Sequence, residues 1–307
     1  MASRNHSTIT EFILIGLSAD PHTEALLFVL FLVIYLLTMM GNLLMLLMIR
    51  VDSHLHTPMY FFLSNLSFLD LCFSSVTLPK LLEDLLSEKK TISVEGCLAQ
   101  VFFVFLTAGT EACLLSVMAY DRYAAICHPL LYGQVMSNQR CAKLVLASWG
   151  LASLNAVVIL LLAINMDFCE AQTIHHFTCE LPALFPLSCS DISTNINILL
   201  SASLLHGLGT FMPIFLSYAR IISTILSISS TTGRSKAFST CSSHLIAVVL
   251  FFGSGFLCYL MPPSGSSMDL LLSLQYSVIT PLMNPLIYSL KNKEVKAAVK
   301  KTLGKFL

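Results

Sequence analysis

The chain has 307 residues, with 17 Lys+Arg against 17 Asp+Glu and a formal net charge of zero. Charged residues make up 11% and hydrophobic residues 56%, against about 25% charged in an ordinary soluble domain, and mean hydropathy is +0.80. A disordered chain is excluded, a soluble globule has too few charges to cover its surface, and no basic excess exists to neutralise nucleic-acid phosphates.

A membrane-crossing helix needs about 20 mostly apolar residues. Seven such runs follow in order: Ala25–Ile49, Pro58–Leu82, Leu98–Ile126, Cys141–Ala163, Ile196–Ile228, Phe238–Met261 and Leu271–Leu290. Period-2 alternation is missing, which argues against a β-barrel. The expected fold is an all-α membrane protein, a seven-transmembrane helix bundle over 25–290. An extracellular N-terminus over 1–24 precedes it, and a cytoplasmic amphipathic tail over 291–307 follows. The first run has acids ahead of it and no small-residue cleavage site behind it, so it reads as a span rather than a removed signal. In the tail Val295, Val299, Thr302, Leu303 and Phe306 share one helical face and lysines the other, the pattern of a short amphipathic helix on anionic membrane lipid.

Lys and Arg placement orients the chain. With the N-terminus outside, only Arg4, Lys80, Lys89 and Lys90 lie in outer segments, while Arg50, Arg122, Arg140, Lys143, Arg220, Arg234, Lys236 and the tail lysines lie inside. The loop over 165–195 has four acids and no Lys or Arg. The expectation is a multi-pass plasma-membrane protein, N-terminus extracellular and C-terminus cytoplasmic. Asn5-His6-Ser7 is then an outward glycosylation acceptor at Asn5.

The cysteines sort by compartment. Cys97, Cys169, Cys179 and Cys189 fall in the outer layer, and their pairing is open at three possibilities. His175, His176, Cys179 and Glu180 stand together and could bind copper or zinc. The competing and favoured reading places Cys179 in a disulfide and leaves no metal.

Ionisable groups within spans need a partner or a task. Asp70, Glu111 and Asn284 form a candidate buried polar or ion site, and a helix-bonding network serves equally well. Asp121-Arg122 sits at the inner end of the third span, where an arginine can be held in one state and released in another. Asn284-Pro285, with Tyr288 one turn on, is a candidate hinge. Ser227, Ser229, Ser230, Thr231, Thr232 and Ser235 read as a polar inner loop open to phosphorylation. No catalytic motif is visible, so the chain does not read as an enzyme.

Four blocks in order carry a family resemblance: PMYFFLSNLS over 58–67, MAYDRYAAICHPL over 118–130, KAFSTCSSHL over 236–245 and PLMNPLIYSLKN over 281–292, with SYARI over 217–221 in support. The chain resembles the olfactory receptors, the large tetrapod-type branch of the rhodopsin-like G-protein-coupled receptors. It departs from their pattern at Ala124 for valine, Ala112 for cysteine and Phe252-Gly253-Ser254 for Tyr-Gly-Thr, which removes one hydroxyl near the pocket. The resemblance implies disulfides Cys97–Cys179 and Cys169–Cys189. It makes Arg122 the G-protein-facing switch residue, Asp121 its restraint, and Tyr218 and Tyr288 its active-state neighbours, with Tyr123, Asn284 and Pro285 in the same machinery. It places a mostly apolar pocket among Val104, Phe105, Ala108, Gly109, Ser203, His206, Phe252, Phe256, Tyr259 and Ser277. The implied partners are a small-molecule odorant, a heterotrimeric G protein of the stimulatory olfactory type that raises cyclic AMP, and membrane lipids, with no cofactor. The alternatives are a receptor for an endogenous metabolite in non-nasal tissue, and a cation transporter using Asp70 and Glu111. The transporter needs paired half-repeats, which the sequence lacks.

Overall fold

The computed structural model describes residues 9–18, 20–168, 172–260, 267–291, 295 and 297–298. Its long helices are α1 (Pro21–Val51), α2 (Pro58–Leu86), α3 (Val94–Cys127), α4 (Asn138–Ile164), α5 (Ser193–Ser227) and α6 (Thr231–Leu260). The seventh crossing is built from α7 (Ser267–Leu274), a π-helical turn over Gln275–Ile279 and α8 (Thr280–Lys291). Among the described residues seven helices are long and apolar enough to cross a membrane.

The caps explain where these helices begin. Asp20 accepts from the Thr23 amide at 2.9 Å and its hydroxyl at 2.7 Å, and those bonds hold the Asp20 carboxyl below the usual carboxylate range. Pro21 occupies the first helical position, where its missing N–H costs nothing. Ser93 and Ser137 cap α3 and α4 in the same way.

Helices run beyond the apolar runs at several ends. α2 continues to Leu86, so Lys80 lies on its last turns and pairs with Asp84 at 2.9 Å and Glu83 at 3.2 Å. α6 starts at Thr231 rather than near Phe238. The expected hydroxyl-rich loop is therefore mostly helix, and only residues 228–230 connect α5 to α6. The Arg234 guanidinium reaches back to the Leu226 and Ile228 carbonyls at 3.4 and 3.0 Å, closing the exposed end of α5.

A small sheet, not anticipated from the sequence, covers one end of the bundle. β1 (Glu11–Leu14) pairs antiparallel with β2 (Thr91–Ser93), with Phe12 opposite Ile92, and parallel with β3 (Thr173–Ile174). Phe12 and Leu14 are buried while Glu11 and Ile13 face out, the two-residue alternation of a strand lying on a core. Lys90 pairs with Glu24 beside it.

α3 is the central helix, packed against α2, α4, α5 and α6. Residues facing away from the bundle are large and apolar, such as Leu26, Leu146 and Leu205, each at least 70% exposed. In lipid such residues need no burial. Of the amphipathic helix expected over 291–307, Lys291, Val295, Ala297 and Ala298 are described, all helical, with Val295 and Ala298 buried; the rest lies outside the described residues. So do Asn5 and Cys169.

Candidate functional site

In the half of the bundle nearer the sheet, the helices leave a cavity of about 130 Å³. α3 supplies Phe105, Ala108, Gly109 and Ala112; α4 supplies Asn155; α5 supplies Leu200, Ser203, Leu204, His206 and Gly207; α6 supplies Phe251, Phe252, Gly255 and Phe256; the π turn supplies Tyr276. The space exists because α3 carries small residues where its neighbours carry rings. A Cβ on Gly109 would lie 3.2 Å from the Ala152 Cβ and 3.3 Å from His206 Nε2, so glycine permits the close approach of α4 and α5. Phe211 packs edge-on against Phe252 and Phe256, centroids 5.5 and 5.9 Å away, and fixes the α6 wall.

Of the pocket residues expected from the sequence, Phe105, Ala108, Gly109, Ser203, His206, Phe252 and Phe256 line this cavity. Val104 does not: it turns into the hydrophobic core shared with α2 and α6. Ser277 does not either: it is buried within the π turn, and its hydroxyl donates to the Ser273 carbonyl at 2.6 Å. Tyr259 lies outside the described side chains. Sequence reasoning missed Ala112, Leu200, Leu204, Gly207, Phe251 and Gly255, which sit one helical turn or less from expected positions. It also missed Asn155 and Tyr276. An asparagine within an apolar span was an available signal for Asn155; nothing local announces the π turn that turns Tyr276 inward.

His206 donates from Nε2 to the Gly109 carbonyl at 3.0 Å. That carbonyl only accepts, so Nε2 carries the hydrogen and Nδ1 keeps a lone pair. The Phe252 ring stands where the family pattern has a phenol, and Ser254 spends its hydroxyl on the Leu250 carbonyl at 2.6 Å.

A polar centre lies deeper in the bundle. The Asn284 amide donates to both oxygens of Asp70 at 3.2 Å and to Glu111 Oε1 at 3.1 Å. All three residues are buried, so the structure joins α2, α3 and α8 through them. Asn42 of α1 makes a separate bond to α8. Pro285 has no N–H to give the Pro281 carbonyl, and Asn42 Nδ2 donates to that carbonyl instead, at 3.1 Å. A Cβ on Gly41 would meet the Pro285 ring at 3.4 Å, so glycine lets α1 approach the proline closely.

At the far end from the sheet Arg122 is 7% exposed, and its buried Nη2 has no hydrogen-bond partner among the described residues. Asp121 and Arg122 interact through space, but among the described residues no direct bridge between them lies within 4.0 Å. Adjacent residues on a helix point about 100° apart, and Asp121 turns to accept from the Tyr132 hydroxyl at 2.7 Å. Arg122 lies within electrostatic reach of Asp121, Tyr218, His244 and Tyr288. Tyr218 donates to His244 Nδ1 at 2.8 Å, and His244 Nε2 donates to the Leu115 carbonyl at 2.9 Å. One imidazole thus ties α3, α5 and α6 together. The Tyr288 hydroxyl is buried without a hydrogen-bond partner among the described residues. Tyr123 stands apart, bonded to His128 Nε2 at 3.0 Å.

Over the sheet end Cys97 is bonded to Cys179, Cα atoms 5.3 Å apart. Cys189 is also disulfide-bonded, while its expected partner Cys169 lies outside the described residues. Gln100 holds the same loop, accepting from the Cys179 amide at 3.0 Å and the Thr178 hydroxyl at 3.2 Å, and donating to the Val76 carbonyl at 3.1 Å. His176 is buried against Ser273 at 3.0 Å and accepts from the Thr178 amide. With Cys179 oxidised and both His176 nitrogens engaged, the metal arrangement weighed for His176 and Glu180 is not assembled; among the described residues no group of three His, Cys, Asp or Glu side chains could hold a metal.

The olfactory receptor family model matches residues 31–305. The chain belongs to the olfactory receptor family. It is 71% identical to human olfactory receptor 8S1 over 96% of this chain and 82% of that receptor. It is 48% identical to mouse olfactory receptor 1J1 and 47% identical to human olfactory receptor 1F1, each over 99% of this chain and 98% of the relative. The receptor is therefore a multi-pass plasma-membrane protein of a family that is not enzymatic.

Proposed function

We propose that the receptor binds a small, mostly apolar odorant in the cavity between α3, α4, α5 and α6 and activates a stimulatory olfactory G protein, raising cyclic AMP. The sheet end faces outside and the Arg122 end faces the cytoplasm, an orientation that the Lys and Arg distribution supports. The observation that carries this reading is the pairing of two features on the same helices. The cavity wall and the Tyr218–His244–Leu115 tie both draw on α3, α5 and α6.

A ligand shifts a two-state equilibrium only by its differential affinity for the two states. Here the sensitive element is α6, which offers Phe251, Phe252 and Phe256 to the cavity and His244 to the tie. An odorant that favours a different placement of those rings moves His244 away from Tyr218. Arg122, whose Nη2 lacks a partner, then meets an acceptor on the G protein. Pro285 and the π turn give the seventh crossing its hinge. Asp70 and Glu111, bridged by Asn284, form a buried polar site whose negative charge is balanced by protons or a cation. The tail over 291–307 lies on anionic lipid beside the G-protein surface, and Asn5 carries an outward glycan.

The test is a cyclic-AMP assay against a broad odorant panel in cells bearing the olfactory stimulatory G protein. An identified response must vanish in Arg122→Ala at equal surface expression. A response that survives Arg122→Ala removes the switch assignment, and ligand-independent ion flux through purified receptor in liposomes replaces signalling with transport.

A further inference from the structure

We infer that the odorants this receptor takes are small neutral hydroxyl compounds, alcohols and phenols, held by Asn155 and His206. The inference rests on the cavity being the ligand site and adds the chemical class of its occupant.

Three observations lead to it. The cavity wall contains no Asp, Glu, Lys or Arg, so an ammonium or carboxylate ligand loses its hydration without a counter-charge, at a cost far beyond that of a neutral group. The volume, about 130 Å³, is close to the roughly 150 Å³ of apolar cavities that hold benzene, which sets the occupant at one ring or its aliphatic equivalent. Asn155 and His206 stand on the α4 and α5 walls, with Ser203 one turn before His206 and Tyr276 on the π turn as the other polar side chains of the lining. Gly109 is the point where Ala152 of α4 and His206 of α5 meet, and Asn155 lies on the same face of α4 three residues after Ala152.

The hydrogen-bonding inventory of Asn155 and His206 selects the functional group. His206 Nε2–H is committed to the Gly109 carbonyl, so Nδ1 offers only a lone pair and asks for a donor. Among the described residues Asn155 has no hydrogen-bond partner, and its amide offers N–H donors as well as a carbonyl. A hydroxyl answers both at once, donating to His206 Nδ1 and accepting from Asn155 Nδ2. An ether, ester or ketone satisfies Asn155 and leaves Nδ1 facing an apolar group. Leaving a buried polar group unsatisfied is the stronger penalty, and sites built around a ligand hydroxyl discriminate strongly against analogues that lack it.

The experiment uses full-length receptor in the cyclic-AMP assay with phenol, cyclohexanol, their methyl ethers, toluene, benzoate and benzylamine. Phenol and cyclohexanol activate at concentrations at least roughly tenfold below their methyl ethers, and benzoate and benzylamine are silent. His206→Phe abolishes the preference for alcohol over ether. His206→Gln, whose side-chain carbonyl is again an acceptor, restores part of it, and Asn155→Leu weakens it. Surface labelling of each variant separates misfolding from lost recognition. Equal potency of alcohols and ethers, stronger responses to either ion, silence of the whole series at normal surface expression, or an alcohol preference that persists in the His206→Phe/Asn155→Leu double variant each overturns the inference. Ala108→Trp fills the cavity and tells the two failures apart. If it abolishes a response that shows no hydroxyl preference, the cavity stands and the class falls; if the phenol response survives it, the cavity itself is the wrong site.

Discussion

Replacing Asn42 tests whether the proline in α8 is as costly as its geometry implies. Pro285 strips the Pro281 carbonyl of its helical donor, and the Asn42 amide, fully buried on α1, supplies the substitute at 3.1 Å. Asn42→Leu keeps the volume and removes the donor, so the Pro281 carbonyl is stranded where water does not reach. An unsatisfied buried carbonyl costs about 1–3 kcal/mol. Asn42 Oδ1 has no partner of its own, so losing it offsets about 1 kcal/mol of that penalty. The Thr38 carbonyl, to which Asn42 Nδ2 also donates at 3.0 Å, keeps the backbone N–H of residue 42 as its helical partner. The net expectation is a loss of about 0–2 kcal/mol, up to a factor of about 30 in the folded ratio, read as a lowered melting temperature of purified receptor in nanodiscs. The decisive variant is the double. Pro285→Ala restores an N–H to the Pro281 carbonyl, so Asn42→Leu costs less in that background, with a coupling of about 1 kcal/mol. Strict additivity of the two changes refutes the reasoning, because the carbonyl was then never the shared partner.

Removing the Cys97–Cys179 bond by Cys97→Ser/Cys179→Ser opens a cross-link spanning 82 residues of sequence and costs about 2–5 kcal/mol; flow cytometry of an N-terminal tag shows the receptor failing to reach the surface. His244→Ala cuts the bonds to Tyr218 and Leu115, and basal cyclic AMP rises several-fold, as it does more weakly in Tyr218→Phe. Gly109→Ala forces a contact at 3.2–3.3 Å with Ala152 and His206, displaces the imidazole and raises the half-maximal odorant concentration by roughly tenfold, an overpacking cost of about 1–3 kcal/mol. A Gly109→Ala receptor with an unchanged dose–response shows that α4 and α5 yield freely at that point.

The number and order of the spans were legible in the sequence because lipid demands long apolar runs and tolerates few charges. Helix ends were not, since α2 and α6 extend through charged residues that the apolar criterion rejects, such as Glu83, Asp84 and Arg234. The sheet escaped notice because three short strands, one of only two residues, carry too little pattern to read. Asp70, Glu111 and Asn284 announced themselves as polar groups in apolar runs, and the structure brings all three within hydrogen-bonding distance. Arg122 was equally visible, and it does act electrostatically on Asp121, but the direct hydrogen bond of Asp121 goes to Tyr132, which adjacency in sequence does not announce. Val104 and Ser277 were placed by alignment to the family resemblance. One helix position, or one π turn over Gln275–Ile279, is enough to take a side chain from the cavity to the core.

The central claim is that a ligand in the cavity below the disulfide-pinned loop acts on Arg122 at the far end of the same helices. A cryo-electron microscopy map of the receptor with an activating odorant and its G protein measures this directly. The account predicts ligand density against Asn155, His206 and the Phe252–Phe256 wall, His244 parted from Tyr218, and the Arg122 guanidinium bonded to the G protein. Ligand density elsewhere with this cavity collapsed, or an intact Tyr218–His244 bond in the activated complex, contradicts it.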